Sequence, residues 1–181
     1  ESKSTGATVH YKNIGEDRYF AGRIKIGISA KDLMTVLYHD VDKTTEWNEN
    51  VKFAKRLHKL TEHTDIVTMS NHELLIIKSR VFVAARCTRE ALGGWVMAGR
   101  SIELKELPVT NDAVRAFLNI GFSRAMPDPE DPEHSCIFDN VVCIDLQKVL
   151  LKSAVKMVLG RINLKDLKVI RNHCNAMLSK Q

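Results

Sequence analysis

The sequence predicts an α+β fold in which a curved antiparallel sheet wraps one long C-terminal helix. Up to about residue 145 the chain reads as a series of short strand-like segments divided by Gly, Pro and acidic turns, the signature of a sheet built from hairpins. From residue 149 to 178 the apolar spacing changes to three and four, through Leu151, Val155, Val158, Leu159, Ile162, Val169, Ile170, Cys174 and Met177. That is the period of one amphipathic helix. Its apolar stripe has to be buried, and the simplest cover is the sheet curled around it. Such a curl can enclose a cavity wherever side chains do not fill the middle.

In chain order, residues 1–6 are polar and read as loose. Segments 7–13 and 18–26 read as strands about the turn Gly15-Glu16-Asp17, and Gly27 ends the second. Ser29 is placed to cap a helix from residue 30 to about 41, with Leu33, Val36 and Leu37 on its apolar face. The short segment 44–51 holds Trp47. Strands follow over 53–61, 64–74, 80–90, 94–104, 112–123 and 135–145, joined by short hairpins except at the acidic, Pro-containing loop 127–133. Gly93-Gly94 and Pro108 mark two of the turns. The long helix is expected to bend at Gly160. Its polar face carries Lys152, Lys156, Arg161, Lys165, Lys168 and Arg171, while Asp166 falls inside the apolar stripe.

Length fits one domain over residues 1–181, large enough to bury roughly 70% of its unfolded surface. A hydrophobic content of 44% beside 27% charged residues is ordinary for a globular protein. The formal charge of +5 suits an anionic membrane or nucleic acid but demands neither. No apolar run is long enough to span a bilayer and no signal peptide is visible. The missing initiator Met suggests a processed form or an excised domain. Cys87, Cys136, Cys143 and Cys174 lack zinc and redox spacings and fall in strand or helix segments, which reads as reduced thiols in an intracellular protein. There is no Gly-rich phosphate loop, nucleophile elbow or metal spacing, so neither cofactor nor metal is expected. His58, His63 and His72 read as surface residues. With 6% aromatics that do not interleave with Lys and Arg, a stacking platform for nucleic acid is not supported. The basic helix face reads first as a solvated face and, functionally, as a contact for anionic lipid headgroups.

One strand carries a charge that its neighbours do not explain. In 80–90, Arg86 shares a face with Phe82 and Ala84, whereas Val81, Val83, Ala85 and Cys87 point the other way. Both faces are largely apolar, as in a strand covered on both sides. Arg86 either reaches solvent at an edge or is buried against an acid, and the candidate acid on the preceding strand is Glu73.

Several segments together resemble a known family. Glu46-Trp47-Asn48-Glu49-Asn50-Val51 is similar to the Glu-Trp-Asn-x-Asn-Val segment of StAR-related lipid transfer (START) domains, in the subgroup that carries sterols. Thr64-Asp65-Ile66-Val67, followed by Ser79-Arg80-Val81-Phe82-Val83-Ala84-Ala85-Arg86-Cys87, resembles the family's Thr-led strand and its later Pro-Arg-Asp-Phe-Val-x-x-Arg-Cys strand. Ala98-Gly99, Val114-Arg115-Ala116, Ile144-Asp145-Leu146 and Lys152-Ser153 match further landmarks in order. The likeness covers roughly residues 7–178.

The resemblance implies a helix-grip fold whose interior is a lipid tunnel closed by the C-terminal helix and a neighbouring loop. The positions that match family tunnel residues are Asn48, Val51, Arg80, Arg86, Met97, Leu118, Asn140, Leu159, Ile162 and Asp166. Arg86 matches the tunnel arginine, which in relatives is paired with an acid and suits a water-mediated contact to a ligand hydroxyl. Met69 stands where sterol-binding relatives have that acid, and Glu73, on the same face, is the expected substitute. The link from Glu73 to Arg80 is shorter than the family's covering loop, Val81 replaces an Asp, 148–151 replaces a Gly-Trp-x-Pro turn, and the family's N-terminal helix is missing.

The reading implied is a non-enzymatic carrier of one sterol-like lipid. It is expected to be a monomer in transient contact with anionic membranes, cytoplasmic or facing the cytosol at an organelle, with no nucleic-acid partner. The alternatives are a carrier of a carotenoid, fatty acid or phospholipid, and an interaction module with a vestigial cavity. A third is a hydrolase or isomerase using Glu73, Asp166 or a histidine as general base.

Overall fold

A computed structural model describes residues 6–73, 78–104, 113–147 and 152–178, with the backbone alone for 152–158. The N-terminal hairpin joins β1 (Thr8–Ile14) to β2 (Asp17–Ile26). Its turn passes through Gly15 at φ 60°, a left-handed conformation that costs glycine no Cβ clash. Next come α1 (Ala30–Met34), a π-helical turn (Thr35–His39), a 3-10 turn (Val41–Lys43) and α2 (Thr44–Trp47). Strands β3 (Val51–Thr61), β4 (Thr64–Asn71), β5 (Arg80–Ala91), β6 (Gly94–Ser101), β7 (Val114–Arg115), β8 (Phe117–Pro127) and β9 (Cys136–Asp145) follow, and α3 (Lys152–Leu178) comes last.

The strand order is β1-β2-β9-β8-β6-β5-β4-β3, with β7 beside β5. Pairing is antiparallel except for the short parallel contact of β7 with β5. The middle of the sheet meanders as the hairpin spacing predicts. Its long-range closure is β2 on β9, with Gly22 opposite Asn140.

Alternation along β2 fixes which face is the core. Phe20, Gly22, Ile24 and Ile26 are buried, while Ala21, Arg23 and Lys25 are exposed. The inner face packs with Leu33, Met34 and Tyr38 of the α1 region and with Leu167 and Cys174 of α3. Gly22 lets the helix come close, because a Cβ there would stand 2.7 Å from Cδ1 of Leu167. Gly160 does the same from the helix side, against the ring of Phe20. A smaller apolar cluster, Val41, Ala54, Val67 and Ala84, lies under β3–β5. On the outer face Asp139 takes bonds from Arg23 and Arg124 on the two flanking strands. Burial pushes its carboxyl up, but the bonds and charges of the two arginines outweigh this and hold it below the ordinary value.

Four sequence expectations change. The helix from residue 30 is regular only to Met34, because the carbonyls of Leu37, Tyr38 and His39 turn to accept from guanidinium groups and the turn widens to π geometry. Strand 64–74 ends at Asn71, leaving His72 and Glu73 exposed and out of the sheet. Segment 94–104 is strand only to Ser101. Segment 112–123 divides at the buried Ala116 into β7 and β8. Ser29 caps α1 as expected, accepting from the backbone N–H of Asp32 at 3.1 Å. The expectations about residues 1–5, Leu74, Pro108 and 148–151 lie outside the described residues.

Candidate functional site

Between the sheet's inner face and the helices lies a cavity of about 380 Å³, within the range of small-molecule sites. The sheet supplies Val51, Met69, Arg80, Phe82, Arg86, Met97, Leu118 and Asn140; α3 supplies Leu159, Ile162 and Asp166; the segment after α2 supplies Asn48. Every position singled out from the sequence thus lines the cavity except Glu73. The walls are largely apolar, so a hydrocarbon ligand gains about 25 cal/mol for each Å² it withdraws from water.

Arg86 projects into this space and its acid is Asp65. Nε donates to Oδ1 at 3.0 Å and Nη2 to Oδ2 at 2.7 Å, a bidentate pair. The two residues are directly opposite in the β4–β5 register. Glu73 is corrected on this point: it stands exposed beyond the end of β4, next to the loop, whereas Arg86 lies far along β5. Register puts such a residue opposite the start of β4. Met69, which shares the face, pairs with Phe82 instead.

Asp65 serves a second cation. Arg56 Nε donates to Oδ2 at 2.9 Å, and the carboxylate side chain is only 1% exposed. One buried acid between two guanidiniums leaves an excess positive charge. The backbone absorbs it, since Leu37 O and Tyr38 O accept from Arg86 and Tyr38 O and His39 O accept from Arg56. These carbonyls belong to the π turn and carry the partial negative charge of a helical C-terminus. The Tyr38 ring lies 4.8 Å from the Arg86 guanidinium carbon, a cation–π contact. Burial first, then the Asp65 charge, pushes the Tyr38 hydroxyl up to about 12, so it stays protonated.

Counting donors shows what remains for a ligand. A guanidinium has five N–H groups; Arg86 commits Nε, both hydrogens of Nη2 and one of Nη1. Among the described residues, one Nη1 hydrogen is left. Across the sheet from Arg86 its register partner on β6 is Gly99 and the next on β8 is Gly121; the side chain of Arg86 itself lies over the first and that of Leu118 over the second.

Arg80 is a second buried guanidinium on the cavity wall. Its bonds go to the backbone carbonyls of Leu146 and Lys78, at 2.7 and 2.6 Å, and more weakly to Gln147. Burial lowers its pKa from the ordinary value.

At α3 a polar tie crosses from the helix to the segment before β3. Asn50 Nδ2 donates to Asp166 Oδ1 at 3.0 Å, Lys165 Nζ donates to Asn50 Oδ1 at 2.9 Å, and Lys165 pairs with Glu49. Burial pushes the Asp166 carboxyl up to about 6, although the Asn50 bond and the Lys165 charge pull it down. Trp47 stacks on His173 further along the helix, with ring centroids 4.7 Å apart. On the basic face Arg161 and Lys165 are exposed and Lys168 and Arg171 half-buried; the side chains of Lys152 and Lys156 lie outside the described residues.

Sequence reasoning passed over Asp65, Arg56, Tyr38 and Asn50. Asp65 had a signal, since it shares a face with Met69 and lies as far from the hairpin loop as Arg86 does. Arg56 and the π-turn carbonyls had none, because nothing local predicts that the turn crosses over β3 and β5.

A long helix gripped by a curved sheet, around an apolar cavity with two guanidiniums at its wall, is the architecture of a domain that shelters an apolar ligand. The family model described as START domain matches residues 5–179, and the chain belongs to that family. Steroidogenic acute regulatory-like protein 1 of Caenorhabditis elegans is 31% identical, over all of this chain and 70% of that protein. The chain spans less than half the length of three further curated relatives, steroidogenic acute regulatory proteins of two fishes and Xenopus laevis, at 26–28% identity. Among solved structures, human STARD10 matches with a TM-score of 0.82 at 21% identity, over 93% of this chain and 69% of that one. A Streptomyces aromatase/cyclase shares the fold at a TM-score of 0.65 and 14% identity, over 90% of this chain and 96% of that one. At these identities the structural likeness speaks for the fold alone. Among the described residues no helix is long and apolar enough to cross a membrane.

Proposed function

We propose that this chain is a non-enzymatic lipid carrier that holds one sterol-like molecule in the cavity and transfers it between membranes. The observation that carries the reading is the uncommitted Nη1 hydrogen of Arg86, held at the wall of an apolar cavity by a carboxylate and two carbonyls. That geometry suits a ligand with one hydroxyl or keto oxygen and a rigid hydrocarbon body, bound directly or through a water. The steroidogenic acute regulatory names of its relatives favour the same class. Release requires α3 and the Asn48–Asn50 segment to part, and the exposed Arg161 and Lys165 suit an anionic, cytosol-facing membrane surface where this happens. The carrier works as a monomer.

The aromatase/cyclase fold neighbour makes an enzyme the competing class. Against it stands the state of the acids: Asp65 is saturated by two arginines, and Asp166 is engaged by Asn50. Asp65 is therefore not disposed as a free general base. Native mass spectrometry of the purified protein after incubation with a mixture of sterols, fatty acids, carotenoids and phospholipids tests the reading. One sterol per chain is expected; no adduct of any lipid class rejects the carrier.

A further inference from the structure

Arg80 differs from Arg86 in one respect that decides what the cavity can hold. Among the described residues no carboxylate pairs with it. The residue is 6% exposed, and its acceptors are backbone carbonyls, those of Leu146, Lys78 and, more weakly, Gln147. Carbonyls satisfy donors but do not cancel a full charge, and a buried cation without a counter-ion is costly. Asp65 supplies that counter-ion for Arg86. The one carboxylate among the described lining residues is Asp166, which is engaged by Asn50 with Lys165 beside it.

Donors remain as well. A guanidinium has five N–H groups, and Arg80 commits Nε and one hydrogen on each terminal nitrogen. Among the described residues a second hydrogen is left on each. Two N–H groups are what a carboxylate engages when it meets a guanidinium as a fork. A ligand hydroxyl would meet a donor and leave the charge; a carboxylate answers both.

The cavity gives such a group a place. Strand β5 turns Arg80, Phe82, Ala84 and Arg86 into the lining in strict alternation. Six residues of strand put the Cα atoms of the two arginines roughly 20 Å apart, with apolar Phe82 and Ala84 between them, so one long ligand can set an end at each. Lys78, also in the lining, is exposed. The Arg80 end therefore lies near the surface, where an anionic head keeps part of its water. A cavity of about 380 Å³ is of the size that takes a drug-like molecule, which favours a compact acid over a two-chain phospholipid.

We infer that Arg80 is an anion subsite of this cavity, and that the ligand class is a sterol-like lipid bearing a carboxylate at the end away from Arg86. This rests on the carrier reading and deepens it.

The test is equilibrium binding of three probes to the unmodified protein and to Arg80→Gln: cholesterol, a hydroxysterol whose side chain ends in a carboxylate, and the methyl ester of that acid. The unmodified protein is expected to hold the acid about ten-fold tighter than its ester, the worth of a hydrogen bond to a charged group. Arg80→Gln is expected to bring the ratio close to one. Equal binding of acid and ester by the unmodified protein overturns the inference, and so does a preference that survives Arg80→Gln. Should the variant not fold, the acid labelled with a carbon isotope at its carboxyl is titrated by NMR on the unmodified protein. Beside Arg80 the bound carboxyl is expected to ionise at a lower pH than the free acid; ionisation at the same or a higher pH, the mark of desolvation alone, overturns the inference. If cholesterol binds and the acid is not preferred, the inference fails and the carrier reading stands. If none of the three binds, the carrier reading fails and the inference falls with it.

Discussion

Asp65 settles how the cavity can hold a guanidinium at all. It is fully buried, directly across from Arg86, and shared with Arg56. Removing it leaves two cations facing each other in an apolar setting, so Asp65→Ala is expected to cost about 3–5 kcal/mol of stability. Glu73→Ala, at an exposed position, should stay within about 0.5 kcal/mol. Urea denaturation of the two variants measures both, and equal effects would contradict the assignment. The choice between the two acids was legible in part. Alternation put Asp65, Met69 and Glu73 on one face, but only register separates them: in a hairpin, a residue far from the loop faces another equally far from it.

At the scale of elements, α3 is fastened to the segment after α2 by Asp166, Asn50, Lys165 and Glu49, and this tie titrates. The folded state raises the Asp166 pKa from 3.8 to about 6. Between these values the folded chain binds more proton than the unfolded one, so stability from this group rises as pH falls from 7 towards 4. The full effect is on the order of 3 kcal/mol. Asp166→Asn should therefore be more stable than the parent at pH 7, and the difference should shrink towards pH 4. Thermal melts of both proteins across that range read it; a difference that does not change with pH excludes Asp166 as the titrating group. The helix was plain in the sequence because 3.6-residue periodicity persists over its length, but its buried side was legible only in part: Leu167 is buried and Met177 exposed. The π turn was not. Its residues Thr35–His39 have ordinary helical character, and only the two arginines of β3 and β5 pull their carbonyls out of register.

For the whole molecule the decisive contact is β2 on β9, which joins the start of the chain to its last strand and sets Phe20, Gly22, Ile24 and Ile26 beneath α3 and α1. Deleting residues 1–27 exposes the edge of β9 and the underside of α3, and the cooperative unfolding transition is expected to disappear; a variant that still melts sharply would show that the sheet holds without this seam. The strand segments and the gripped helix could be read from the sequence, but the division of 112–123 into β7 and β8 could not, and periodicity does not say which strands pair or whether the middle is hollow. One further feature joins the scales. The hydrogen-bonded turns from Leu37 to Asn50 run without interruption, with their first carbonyls on Arg86 and their last side chain on Asp166. Arg86 and α3 are thus joined through one continuous segment. On the proposed carrier reading, the reciprocity of linked equilibria leads to the expectation that a ligand that steadies Arg86 also holds α3 down, and that whatever lifts α3 loosens the ligand by the same factor.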